Sequence, residues 1–217
     1  MNFNALSIKT KVLIITLAGP IIIAMILAWQ RVDDIRTSAI ENIEAKSKAI
    51  VLMAEATRNE MARKLELGIM KPLDQIDPSK VIEAVPVVTA MQTAAINAKQ
   101  ANYQFRAPKV NPRNPKNTPT AEELKVLNEI KSKNLKELTI VTDDEIRYFK
   151  PIKLTQDCLF CHGDPKGKKD PTGGTMEGWK AGEIHGAFEI ISSLEETNAL
   201  VFKAKLGVLF WSVGILF

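Results

Sequence analysis

The chain has 217 residues, 46% of them hydrophobic, with 29 Lys and Arg against 25 Asp and Glu and a formal net charge of +4. That length allows one hydrophobic core plus a membrane segment. The net charge is modest, and the basic residues at 166–169 and around Arg113 read as solvated loop charges or cofactor partners, so no nucleic-acid partner is expected.

Residues 12–29 carry no charge, are mostly Ile, Leu, Val and Ala, and follow Lys9 and Lys11. The run approaches the about 20 apolar residues that cross a bilayer. It is longer than the roughly 7 to 15 residues of a signal-peptide core, and Ile26 before Ala28 is a poor cleavage site. The expectation is an uncleaved transmembrane helix over 12–30, with residues 1–11 in the cytoplasm and residues 31–203 in the periplasm of a bacterial inner membrane.

No proline interrupts residues 32–69. At about 100° per residue, Ile43, Ile50, Ala54, Met61 and Leu65 share one stripe, so the membrane helix is predicted to continue outward as an amphipathic rod. A homodimer is the plainer way to bury so long a helix. Lys71-Pro72 ends it, and a second helix with a small-residue face, including Met91, Ala94 and Ala98, is predicted over 81–103, its true start near Pro86.

Four prolines make residues 105–120 a loop. Thr120 and Glu123 form a capping-box pattern that opens a helix through Leu135. Residues 137–142 and 145–152 read as a hairpin turning at Asp143-Asp144. The glycine-rich stretch 166–178 is a loop. Residues 182–191 alternate around Ile184, Gly186, Phe188 and Ile190, which puts His185 on the other face as an exposed strand histidine, with a ligand role the weaker alternative. A last helix, 194–205, leads into a second apolar run over 206–217, the start of a second span.

The chemistry centres on Cys158-Leu159-Phe160-Cys161-His162, a CxxCH. Two thiols separated by two residues can join the vinyl groups of one porphyrin, and the next histidine can then take an axial position on the iron, so one covalent haem c is expected, ligated by His162. A zinc site would need both cysteines, both histidines and an awkward bend at His162. A thioredoxin-like dithiol would want a helix after the motif, where Gly163-Asp164-Pro165-Lys166-Gly167 reads as a loop. A disulfide across so small a ring would be strained. Covalent attachment requires an extracytoplasmic location, in agreement with the flanks. For the second axial position Met61, on the buried stripe, is the candidate, against the reading that it is a core filler. Arg106, Arg113, Arg147 and Lys150 are the cations expected beside the propionates.

Beyond the CxxCH, Val85-Pro86-Val87-Val88-Thr89-Ala90, Phe105-Arg106, Pro112-Arg113-Asn114-Pro115-Lys116-Asn117, Arg147-Tyr148-Phe149-Lys150-Pro151-Ile152 and Gly163-Asp164-Pro165 carry a resemblance. Over about 31–203 the chain resembles the periplasmic c-type-haem sensor domains, PAS-like in fold, of bacterial methyl-accepting chemotaxis proteins and sensor kinases. The resemblance implies an α+β fold with a PAS-like antiparallel sheet flanked by helices, and a long N-terminal helix continuous with a transmembrane span. It also implies dimers in which that helix can supply a sixth ligand, which strengthens Met61 by analogy. The expected function is a redox or gas sensor for transmembrane signalling, responding to a small gas ligand or a redox partner. A membrane-anchored electron carrier is the alternative. No enzymatic activity is expected, because no distal acid-base pair is evident beyond His185.

Overall fold

The computed structural model describes residues 7–214, which divide into two compact units. The first comprises the described residues up to Asn42 and from Leu194 onward. It contains the start of α1 (Ile8–Glu66) and α5 (Glu195–Gly214). Ile15, Ile22, Ile26 and Leu27 of α1 are exposed, and among the described residues α1 is the helix long and apolar enough to cross a membrane. The apolar run expected from residue 206 lies in α5 as far as Gly214. Its last three residues, like the first six of the expected cytoplasmic segment, lie outside the described residues.

The second unit, residues 43–193, is an α+β domain built on a four-stranded antiparallel sheet of order β1-β4-β3-β2. The strands are β1 (Gln104–Arg106), β2 (Leu138–Val141), β3 (Glu145–Lys153) and β4 (Ile184–Ser193). Successive side chains of a strand point to opposite faces, and the core divides accordingly. Tyr148, Ile152, Phe188 and Ile190 pack with Val51 and Ile50 of α1 and with Val87 and Met91 of α2 (Pro86–Ile96). Phe149 and Ala187 pack with Val126, Leu127 and Ile130 of α3 (Ala121–Lys133) on the other face.

The local chemistry explains the boundaries. α1 stops at Glu66 because Gly68 takes the left-handed conformation, φ 68°, while the Ile69 N–H donates to the Lys64 carbonyl at 3.0 Å. The predicted stripe is buried at Ala54 and half-buried at Ile43, Ile50, Met61 and Leu65, joined by buried Ser47 and Val51. The helix predicted over 81–103 is shorter. Pro86 holds its first position, and after Ile96 the chain turns, with Asn102 at φ 54° feeding β1. That strand, placed in a loop by the sequence reading, pairs with Ile191 to Glu189 of β4 and supplies one edge of the sheet.

The capping box forms as read: the Glu123 N–H donates to Thr120 Oγ1 at 3.2 Å, and Glu123 Oε2 accepts from the Thr120 N–H at 2.6 Å. Thr120→Ala is expected to cost about 1 kcal/mol, measurable as a lower urea midpoint for the full chain in detergent.

β3 and β4 pair from Glu145↔Ser193 to Ile152↔Gly186 and then slip, so that Lys153 faces Ile184. His185 is the extra residue of the resulting bulge, the kind of irregularity that re-aims a side chain. Ile184, predicted to share a face with Phe188, packs instead against the Phe149 and Ala187 cluster. The expected exposed strand histidine is accordingly half-buried.

Candidate functional site

After β3, the Cys158 N–H donates to the Thr155 carbonyl at 3.1 Å, and the short helix α4 (Leu159–His162) follows at once. Both cysteines are half-buried free thiols. Gly163 ends the turn, where an added Cβ would meet the Leu159 carbonyl oxygen at 2.7 Å, so glycine is needed there for the chain to leave the motif. The segment after it returns alongside: Gly178 N–H donates to the Gly163 carbonyl at 3.0 Å and Trp179 N–H to the His162 carbonyl at 2.8 Å.

This return brings Glu177 onto the motif histidine. Glu177 Oε2 lies 2.8 Å from His162 Nδ1. The same carboxylate accepts from Arg113 Nε at 2.9 Å and from its Nη2 at 3.1 Å. Arg113 also donates to the Cys161 carbonyl at 2.8 Å and the Thr175 carbonyl at 3.1 Å, and its Nη1 is 2.8 Å from Asp170 Oδ2. One guanidinium thereby ties together the CxxCH backbone and two carboxylates. A Cβ on Gly174 would fall 2.6 Å from both Arg113 Nη1 and Asp170 Oδ2, so this cradle requires a residue without a side chain.

The bulge places the His185 ring 4.6 Å from His162 and 5.3 Å from Trp179, centroid to centroid, in edge contacts. Its Nε2 is buried without a hydrogen-bond partner. Burial and the nearby Lys109 ammonium push His185 down to about 3, so the imidazole is neutral. Burial also holds His162 below its ordinary value, against the pull of Glu177. The arginine and the histidine drive Glu177 down to about 2 despite the burial that opposes them. Burial, reinforced by Asp170, pushes the Cys161 thiol up to about 11. A redox dithiol is activated as thiolate, so this environment disfavours that chemistry.

His162, Glu177 and His185 offer ligand atoms all within 4.8 Å of one another. Glu177 is nevertheless engaged by Arg113 and His162, which makes it an anchor for the imidazole more than a free metal ligand. Beside the cluster opens a cleft of about 380 Å³ between α3 and the start of β4, lined among others by Lys109, Lys131, Trp179 and His185.

The cations expected from the sequence are placed differently from one another. Arg113 is at the motif. Arg106 and Arg147 hold two buried carboxylates, with Arg106 Nε 2.6 Å from Glu123 Oε1 and Arg147 Nη2 2.5 Å from Glu189 Oε1. Lys150 Nζ is 3.4 Å from Glu55 of α1. Met61 is half-buried on α1, and the residues lining the cleft do not include it. The sequence reading missed Glu177, Asp170 and Lys109, loop residues without periodicity. Gly186 inside a strand was the signal that could have revealed the bulge.

No curated protein matches the chain. Among solved structures, it is similar to the crystal structure of the cyanobacterial heme-protein Tll0287, at 23% identity and a TM-score of 0.50, over 67% of this chain and 91% of that one. At that identity the likeness is one of fold. The model of one family, Tll0287-like, matches residues 36–193, the stretch that runs from α1 through the sheet and includes the CxxCH and its Arg113–Glu177 support, so the chain belongs to the Tll0287-like family.

Proposed function

We propose that this chain is a membrane-anchored c-type haem protein, with Cys158 and Cys161 holding the haem covalently and His162 as an axial ligand. One observation carries the reading: His162 Nδ1 is fixed by Glu177 while no hydrogen bond engages Nε2 among the described residues. A histidine ligand is commonly oriented by a carboxylate on its other nitrogen. The thiols form no disulfide and burial lowers the imidazole's affinity for a second proton, both of which suit attachment and ligation. The family match and the similar fold of a heme-protein support the same conclusion.

When bound, the haem supplies an iron centre for one-electron exchange and for small axial ligands. The protein's contribution is positioning. Arg113 fixes Glu177, Glu177 fixes the His162 ring, and the Arg113 bond to the Cys161 carbonyl locks the turn between the thiols and the histidine. Glu177 also raises the basicity of the imidazole.

The anchoring part rests on α1, whose exposed apolar stretch would forgo roughly 1.5–3 kcal/mol for each large side chain left in water. The same helix, farther along, packs on the sheet through Ile50, Val51 and Ala54. This continuity supports a sensor in which a change at the haem biases the position of α1, with a PAS-like domain as input and Met61 as a candidate second ligand. Such signalling requires the two haem states to favour different helix positions.

The test is an absorption spectrum of the full chain, matured with c-type attachment machinery and treated with alkaline pyridine. A c-type haemochrome that resists acid-acetone extraction is expected, and extractable haem or none would overturn the assignment. Carbon monoxide added to the reduced protein then reports whether an internal group fills the second position. For a Met61 ligand, Met61→Ala is expected to convert a low-spin, carbon-monoxide-resistant spectrum into a reactive one.

A further inference from the structure

We propose that the cleft between α3 and the start of β4 is a carboxylate-binding site, in which Lys109 and Lys131 hold the anionic head and Trp179, Leu127 and Ile184 receive an apolar body. All five line one cavity of about 380 Å³, within the range of small-molecule sites, about 300–1,000 Å³. Such sites combine mostly apolar walls with a few convergent polar groups.

The charge balance points to the ligand class, Lys109 and Lys131 outnumbering Glu177, the one carboxylate that lines the same cleft. The Lys109 side chain is only 12% exposed, and its Nζ lies 3.8 Å from Glu177 Oε1, beyond hydrogen-bonding distance. That carboxylate is already engaged by Arg113 and His162. A half-buried ammonium whose ion-pair partner is 3.8 Å away and shared with Arg113 and His162 is incompletely compensated, and an incoming carboxylate would relieve the cost. Lys131 places its Nζ 5.9 Å from the centroid of the Trp179 ring and has no carboxylate partner among the described residues. Asn128, also on α3, lines the same cleft and adds an amide donor.

Two sources carry this chemistry. One is a propionate-bearing edge of the haem, an alternative that rests on the function proposed above. The other is a free carboxylic acid with an apolar body.

The experiment uses the full chain in detergent, with covalent haem quantified first. Benzoate is titrated calorimetrically into wild type and a Lys109→Gln/Lys131→Gln variant. Saturable binding to wild type, weakened at least about tenfold in the variant, identifies a free-acid site. If wild type does not bind benzoate, the reduction potential is measured against pH in both proteins. A propionate that loses its cations should titrate at higher pH, so an upward shift of the pH-dependent segment in the variant identifies the haem source. Benzoate binding unaffected by the substitutions, or absent binding together with superimposable potential profiles, overturns the proposal. Should Lys109→Gln disturb folding, Lys131→Gln with rescue by Lys131→Arg gives the same reading. A chain that binds benzoate yet carries no covalent haem retains this site and sinks only the haem assignment. A chain with attached haem and no response to the lysines sinks only this site.

Discussion

A Cys158→Ala/Cys161→Ala double variant is expected to lose essentially all covalently bound haem while keeping its fold. Haem staining after denaturing electrophoresis should fall from one band to none, and far-UV circular dichroism should stay unchanged. Fold retention follows from the surroundings of the thiols: they form no disulfide, both are half-buried, and the core clusters are built from other residues. The turn itself is held by backbone groups and by Arg113. Each single variant should retain haem through the remaining thiol, at reduced yield. A wild-type chain that fails to stain would reject the haem reading before any variant is made.

The elements governed by local rules were legible in the sequence. The Thr120/Glu123 capping box, the hairpin that turns at Asp143-Asp144 and the long first helix each follow from contacts a few residues apart. Pro86 marked the true start of α2, but its end at Ile96 did not show, because the small-residue pattern continues to Ala98 while the backbone turns. β1 escaped because three residues, Gln104 to Arg106, are too few to show alternation and gain their identity only by pairing with β4. The bulge at His185 escaped for a related reason: strict alternation was assumed through a glycine, and a one-residue slip moves side chains to the other face.

The candidate site divides in the same way. The CxxCH was legible because covalent chemistry demands it in consecutive residues. Its support was not, since Arg113, Asp170 and Glu177 come from separate loops and meet only in three dimensions. A sequence shows that an arginine is charged but not which carboxylate it will find. Charge alone therefore does not separate Arg106 and Arg147 from Arg113, which only its place in the family-like Pro112–Asn117 loop favours, and they serve the carboxylates beneath α3.

Those carboxylates underlie the second large effect, the pH dependence of stability. Glu123 and Glu189 are fully buried beside each other, flanked by Arg106 and Arg147. Burial and the neighbouring Glu123 push Glu189 up to about 8 from 4.5, while Arg106 and the Thr120 N–H help carry Glu123 down to about 2. Between about pH 4.5 and 8 the folded chain keeps a proton on Glu189 that the unfolded chain has lost, so stability falls as pH rises through that window. The slope is at most about 1.4 kcal/mol per pH unit. Below pH 4.5 Glu123 has the opposite effect, its contribution fading as pH drops toward 2, so this pair favours folding most near pH 4.5. Glu189→Gln supplies an amide N–H in place of the carboxyl proton and cannot ionise. It should match wild type at pH 5 and exceed it at pH 8, shown by urea midpoints at the two pH values. Arg147→Ala leaves the buried pair with one guanidinium and should cost about 3–5 kcal/mol at pH 8, where Glu189 begins to ionise, and less at pH 5. Equal pH profiles for wild type and Glu189→Gln would show that Glu189 is ionised across the whole range, with the two arginines neutralising both carboxylates.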